Sequence, residues 1–419
     1  MKLNKFFMLG LAGLAFTACS NEEDAVPGTG DKDKVMITLS LGKAETRSLG
    51  ETAAGKYNTL TDMKVEFYNA QGVYVEVPEQ VEGDDTYNKS GAIEAAIEAL
   101  KSGTHQANLS IKGVPASATQ IYIVANSVSS IGTSSLNDAR KSKIYLSDQQ
   151  KSNFTVFSGE QSTLTGLGTI NPTTNEANVE LKPVPSRIEM QNVTAMPLAD
   201  NETWGGSEIK SFKVEGFFIN NFYPEGILDG TPLPSTAKRV DNGSTAANYT
   251  KNKYQAISYQ YENEPAPSNK DFSFMCDEPA DDDLTYSEGD LTDGETSNDY
   301  IYKAVPKVST NNWGYQLLPG VPPHIVVKLN VTYVDNQGAE TQADKYLTIM
   351  KYKFQSTVPN VGTANEYVQE VLRGHVYTIK DINFDVKDLT DVPYEGTKTV
   401  EARVEVSAWV GVPVIPEFN

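Results

Sequence analysis

Three histidines, His105, His324 and His375, are the only imidazoles in a chain of 419 residues, and they stand far apart in sequence. None belongs to a pair four residues apart, the spacing that lets one helix face grip a zinc ion. No Gly-x-Ser-x-Gly elbow, phosphate-binding loop or dinucleotide fingerprint occurs. Carboxylates abound, with 55 Asp and Glu against 35 Lys and Arg. Pairs at glycosidase spacing therefore arise by chance in such a chain. The most acidic run, Asp277 to Asp299, lacks the alternating ligands, glycine and terminal glutamate of a calcium loop. It reads as a solvated loop, with calcium chelation as the alternative. These residue types point away from an enzyme, and no cofactor or metal is expected.

The chemistry that the sequence does offer is done to the chain rather than by it. Lys2 and Lys5 precede a short apolar core, Phe6 to Phe16, too short to span a membrane and suited to a signal peptide. Cys19 follows small residues in Phe16-Thr-Ala-Cys19, the arrangement of a lipoprotein signal whose cysteine is acylated and becomes the new terminus. Ser20 to Asp24 (SNEED) resembles the surface-export signal of Bacteroidota lipoproteins, and residues 25–33 form a flexible polar tether. The other cysteine, Cys276, leaves the mature chain without an intramolecular disulfide. Its setting in Phe272-Ser-Phe-Met-Cys276 is that of a buried small hydrophobe rather than a reactive thiol. Arg47 is the first arginine of the chain, in Lys43-Ala-Glu-Thr-Arg-Ser-Leu-Gly50, so a cut between Arg47 and Ser48 would release everything before it.

Two alternating stretches bracket the chain. Val35, Ile37, Leu39 and Leu41 alternate with Met36, Thr38, Ser40 and Gly42. Near the other end, Val400, Ala402, Val404, Val406, Ala408, Val410 and Val412 alternate with Glu401, Arg403, Glu405, Ser407 and Trp409. Period two with one apolar face is the pattern of a half-buried strand. Pro413 and Pro416 spoil ladder pairing beyond the second stretch. Cutting after Arg47 would free the first strand and empty its slot, and the second strand of another copy has the pattern to fill it. Ordinary pairing of both strands within one sheet is the plainer alternative.

Between them the chain reads as β-rich, with a net charge of −20. That charge argues against nucleic acid, which wants a basic face, and keeps a surface protein soluble. Strands are expected at Met63 to Tyr68 and Val73 to Val77 around the turn Asn69-Ala-Gln-Gly72, and at Gln106 to Val114. The near-continuous run at Gln120 to Val124 (IYIVAN through Asn126) suits a buried central strand. Further strands are expected at Phe154 to Phe157 and Ala177 to Leu181. A helix carries Ile93, Ile97 and Leu100 on one face, and a shorter one lies near Leu136 to Lys143. Pro183-Val-Pro185 marks a domain boundary, after which Ser186 to Val193 starts a new strand. Ile209 to Ile219 follows, with a bulge at Gly216. His324 to Val334 and Lys345 to Lys351 form a hairpin around Asp335-Asn-Gln-Gly338, and Val376 to Asp385 ends the body. Residues 386–398 read as a linker able to carry the terminal strand away. Trp204 and Trp313 read as core or loop anchors, with ligand binding as the alternative.

Taken in order, several of these marks resemble the fimbrillins, the pilin family of type V pili in Bacteroidota. They are the opening MKLNKFF with Cys19, the strand before Arg47 and the IYIVAN run. To these add Pro185-Ser-Arg-Ile-Glu189, Leu372-Arg-Gly-His-Val-Tyr377, and Val404-Glu-Val-Ser-Ala-Trp-Val410. The resemblance covers essentially the whole precursor. It implies a mainly β fold of two β-sandwich domains with transthyretin-like topology, here 48–183 and 184–385. A signal (1–19) and a propeptide (20–47) would precede them, and a linker with donor strand (386–419) would follow. It also implies lipidation at Cys19 and outer-membrane attachment before cleavage. An arginine-specific or trypsin-like surface protease would cut after Arg47, and copies would polymerise as Val400 to Val412 replaces the strand at Val35 to Leu41. Partners would then be other copies, related fimbrial subunits and a possible host ligand. A monomeric surface lipoprotein binding host protein or glycan, or a tip or anchor subunit, is the alternative.

Overall fold

The computed structural model describes residues 31–41, 60–100, 106–126, 131, 134–146, 163–195, 208–249, 255–259, 268–271, 276–277, 285–287, 302–304, 313–335, 337–393 and 400–408. The chain is mainly β. Its N-terminal body holds β1 (Asp31–Leu41), β2 (Met63–Tyr68), β3 (Tyr74–Val75), α1 (Lys89–Ala99), β4 (Gln106–Pro115) and β5 (Gln120–Ala125). After these come α2 (Leu136–Arg140), β6 (Lys143–Tyr145), β7 (Leu164–Thr169) and β8 (Glu176–Pro183). Seven strands run in the order β3-β2-β5-β7-β8-β1-β4. The layer β3-β2-β5-β7 and the layer β8-β1-β4 share one core, with Val65, Phe67, Ile121 and Ile123 from the first and Ile37, Leu109 and Val179 from the second. Strand β8 joins the layers, pairing with β1 along Glu176 to Leu181 and with β7 at Lys182 and Pro183.

Local chemistry explains the edges of these elements. Asn69 closes the first hairpin by accepting the backbone N–H groups of Gln71 and Val73 at 3.0 and 2.9 Å, while Gly72 takes φ +74°, the turn role such residues favour. Asp335 repeats the device, accepting from Gln337 and Ala339 at 2.8 and 2.9 Å. The side chain of Asn88 caps α1 by accepting from Gly91 N at 2.5 Å, and the helix buries Ala96 and Ile97, followed by Leu100. Strand β7 was not expected from its sequence, LTGLGT. Its glycines have a packing reason, because a Cβ on Gly166 or Gly168 would lie 2.6 Å from the side chain of Val179 on β8.

The C-terminal body contains β9 (Ser186–Ala195), β10 (Glu208–Asn220), β11 (Glu225–Ile227), β12 (Gln255–Tyr259), β13 (Ser268–Asp271), β14 (Cys276–Asp277), β15 (Thr285–Ser287) and β16 (Tyr302–Ala304). It continues with β17 (Trp313–Leu317), β18 (His324–Val334), β19 (Glu340–Phe354), β20 (His375–Phe384) and β21 (Val400–Ala408). The order β14-β17-β9-β20-β21-β19-β18-β10-β15, with β16 also on β9, makes a curled ten-stranded sheet. The expected bulge is present, as the register of β10 on β18 shifts between Val214 and Gly216. The expected hairpin is also present, with β19 starting earlier, at Glu340.

The bodies meet over a broad face. Tyr68, Tyr122 and Val124, on the far side of the β2–β5 layer, belong to the same continuous cluster as Ile144, Phe217, Tyr315 and Leu317. The run at Ile121 to Ala125 is continuous because both of its faces are buried. Strand β6, although it comes before Pro183 where the sequence leads one to expect a domain boundary, docks on the C-terminal body by pairing Lys143 to Tyr145 with β11. Arg140 bridges Asp229 at 3.0 Å, and Leu146 N donates to Pro224 O at 2.8 Å.

Candidate functional site

The site of interest is the slot that β1 fills. Val35, Ile37 and Leu39 are each fully buried, while Lys34 and Thr38 on the other face are exposed. On one side β1 pairs antiparallel with β4, setting Val35 against Ile111, Ile37 against Leu109 and Leu39 against Ala107. On the other it pairs parallel with β8, setting Ile37 against Ala177, Leu39 against Val179 and Leu41 against Leu181. Strands β4 and β8 are neighbours of β1 and not of each other. Without β1, both would present unpaired edges and a trough lined by Ala107, Leu109, Ile111, Ala177, Val179 and Leu181. Such a surface is a template for another strand.

The walls are held from outside the slot. Lys112 of β4 donates its N–H to the Tyr87 hydroxyl at 3.1 Å, and its ammonium meets Asp84 at 2.5 Å. The hydrogen bond from Lys112 holds the Asp84 carboxyl below the usual carboxylate range. Strand β8 is secured by its end, through β7 and through Arg373 from the C-terminal body. The entry of β1 is tied by Met36 N donating to Asn175 O at 3.0 Å.

Strand β21 occupies a matching position in the C-terminal sheet. It runs antiparallel to β20, pairing Glu405 with Thr378 and Val406 with Tyr377. It runs parallel to β19, pairing Ala402 with Tyr352 and Val404 with Phe354. Ala402, Val404 and Val406 are buried, as their alternation demands. Thus β21 is seated in the ten-stranded sheet and β1 in the seven-stranded one, so each pairs within the chain but the two do not share one sheet, as the plainer alternative had them. Residues 386–398 differ from the expected free linker over their first part. Tyr346 and Thr390 exchange both backbone hydrogen bonds at 3.0 Å, Thr390 Oγ1 donates to Tyr346 O at 3.1 Å, Lys345 pairs with Asp391, and Leu389 is buried. Leucine and threonine side chains matched to a free stretch of β19 turn a polar segment into a latch.

Other expected site residues divide sharply. Cys19, Arg47, Ser48, Val410 and Val412 lie outside the described residues, as do Trp204, His105 and the strand at Phe154 to Phe157. Leu41, Val400 and Ala408 are placed by their strand pairing. Cys276 pairs with Tyr315, and Trp313 with Met190. Of the acidic run, Asp277 lies in β14 and Thr285 to Ser287 form β15. Among the described residues no group of three His, Cys, Asp or Glu could hold a metal ion, and no helix is long and apolar enough to cross a membrane. Arg187 and Glu189, from the motif at the boundary, form a buried ion pair at 2.6 Å along β9. Two residues apart on a strand, they share one face.

The two described histidines are structural. His324 Nε2 lies 3.2 Å from Asn221 Nδ2, and His375 Nδ1 lies 2.7 Å from Arg373 O. Burial depresses the pKa of each below the ordinary histidine value. The unfolded chain therefore binds more protons than the folded one as pH falls. Their contribution to stability is complete above about pH 6.5 and is lost as pH drops from there towards the depressed folded values. Urea midpoints measured between pH 7.5 and 5 are expected to fall, and a His324→Asn/His375→Asn double variant is expected to flatten that slope.

No family model matches the sequence, and no curated protein matches it. Solved structures do resemble the fold. A candidate cell adhesion protein from Parabacteroides distasonis is 13% identical, over 92% of this chain and 99% of that one, with a TM-score of 0.44. One from Bacteroides eggerthii is 15% identical, over 94% and 100%, with a TM-score of 0.44. A fimbrilin from Porphyromonas gingivalis is 12% identical, over 90% and 98%, with a TM-score of 0.42.

Proposed function

We propose that this chain is a structural subunit of a cell-surface fimbria, exported as a lipoprotein through Cys19 and activated by a cut between Arg47 and Ser48. After the cut, the slot of one copy takes a C-terminal strand, within Val400 to Val412, of another. The observation that carries this reading is the place of β1. It is central in its layer, between two strands that do not pair with each other, and it is joined to the body by the segment containing Arg47. A covalently attached strand holds its slot at an effective concentration that a second molecule does not match. Cutting the chain removes that advantage while the apolar trough continues to favour strand addition. Assembly of this kind is head to tail and does not close on itself. The partners are other copies, related fimbrial subunits and an arginine-specific or trypsin-like surface protease.

Arg47→Ala tests this reading. The variant is expected to stay full length on the cell and to give a single band on an unboiled gel. Wild type should show a new terminus at Ser48 and a heat-labile ladder. A ladder from Arg47→Ala equal to wild type would sink the cleavage site. A second reading, a monomeric surface lipoprotein that binds a host protein or glycan, is favoured by the seating of β21 in its own sheet. It predicts a lipidated Cys19 terminus on an unladdered wild-type band.

A further inference from the structure

Arg373 lies in the turn before β20, in the C-terminal body, yet its guanidinium grips the N-terminal one. Nη2 donates to Lys182 O at 2.6 Å and to Thr165 O at 3.1 Å, and Nε donates to Pro183 O at 3.3 Å. Nη1 donates to Asp229 O at 2.6 Å. Lys182 and Thr165 are cross-strand partners at the point where β8 passes from one layer to the other. Lys182 also directly follows Leu181, the last β8 residue paired with β1. The surroundings are shaped around this side chain. Gly230 has φ +74°, and a Cβ there would fall 2.5 Å from Arg373 Cδ. Gly374 N donates to Pro185 O at 3.0 Å, fixing the turn that carries the arginine.

We propose that Arg373 is a positioning residue for the strand-accepting slot: it holds the β8 wall away from β4 while the slot is empty. The inference rests on the reading that β1 leaves. Once it does, Glu176 to Leu181 lose their partner on that side. Strand β8 is then held to the β7 side at its start by Asn171 N donating to Glu176 O at 2.8 Å, and at its end through Lys182, Pro183 and Val184 N donating to Thr163 O at 2.7 Å. The trough lined by Leu109, Ile111, Val179 and Leu181 then favours closure of β8 onto β4, since closure removes apolar surface from water. A planar cation fixed on four carbonyl oxygens of three segments opposes that closure from the end of the strand. Lysine, a point charge on a flexible stem, does not reproduce the fork.

The test uses the full chain carrying Ile37→Asp, which unseats β1, and a synthetic peptide of residues 31–41 as the probe. With Arg373 intact the peptide is expected to bind and to restore exchange protection to amides of β8. Adding Arg373→Lys or Arg373→Met is expected to weaken binding by about tenfold or more, the scale of lost hydrogen bonds to a charged donor. Amide protection of the β2–β5 pair should remain unchanged in both. Equal peptide affinity with and without Arg373 overturns the brace and leaves the slot reading standing. Failure of the peptide to bind when Arg373 is intact overturns the slot as an acceptor. If Arg373→Met does not fold, Arg373→Lys and Gly230→Ala, which crowds the same side chain, give the same comparison.

Discussion

Replacing Ile37 with Asp is expected to unseat β1 while the rest of the chain keeps its fold. Ile37 is fully buried between Leu109 on β4 and Ala177 on β8. Its side chain contributes about 2 to 3 kcal/mol by leaving water. An aspartate there would face Leu109 and Ala177, neither of them a cation, and must either stay ionised in an apolar trough or protonate. Each costs several kcal/mol. Together these losses reach about 5 kcal/mol, comparable with the low end of a domain's whole stability. The damage should remain local, because the C-terminal sheet and the β2–β5 face each keep their own buried partners. Hydrogen exchange is the measurement: amides of Val35 to Ser40 and their partners on β8 should exchange freely while those of β18 and β19 stay protected. Thr38→Asp, on the exposed face of the same strand, should change stability by under about 0.5 kcal/mol. Equal effects of the two substitutions would mean that β1 is not seated by this face.

A cross-link between β20 and β21 is expected to stop fibre growth if β21 itself is donated. Thr378 and Glu405 are direct antiparallel partners, and such partners stand within disulfide reach. In a Cys276→Ser background, the Thr378→Cys/Glu405→Cys chain should give monomer under oxidising conditions and resume assembly on reduction. On that proposal, sizes give a reason why strand exchange would need a trigger. The resident strand presents Val35, Ile37 and Leu39, whereas the described part of β21 presents Ala402, Val404 and Val406. Each step from isoleucine to valine gives up about 0.5 to 1.5 kcal/mol. A smaller strand does not displace a larger, tethered one, but it can occupy the slot that the larger one has vacated. Assembly by the oxidised chain at the wild-type rate would instead make the residues after Ala408 the donor and leave β21 permanently in its own sheet.

The sequence disclosed strands that obey a simple period and hid what depends on contact. Alternation in Val35 to Leu39 and in Ala402 to Val406 correctly sets the buried faces, because one face of each meets a core and the other does not. The two turns of type Asx-x-Gln-Gly announce their hairpins through side-chain acceptors and a left-handed glycine. Strand β7 escapes notice because Gly166 and Gly168 erase the pattern; their reason is the close approach of Val179, which lies on another strand. The role of Arg373 is equally invisible, since its four acceptors are backbone carbonyls that carry no sequence mark. Leu389 to Asp391 misleads for the opposite reason. Its composition is that of a tether, and only the free stretch of β19 beside Tyr346 makes it structure.

That latch also sets a length scale for any assembly that uses β21. With Thr390 and Asp391 fastened to β19, seven peptide steps separate Pro393 from Val400. Fully extended, they reach about 25 Å at most. A receiving copy must therefore sit almost against the end of its donor, with little slack between them. The shared core and the grip of Arg373 tie the two bodies of the chain together. A fibre so built would bend little and pass tension directly from one copy to the next, behaving as a rod rather than as beads on a string.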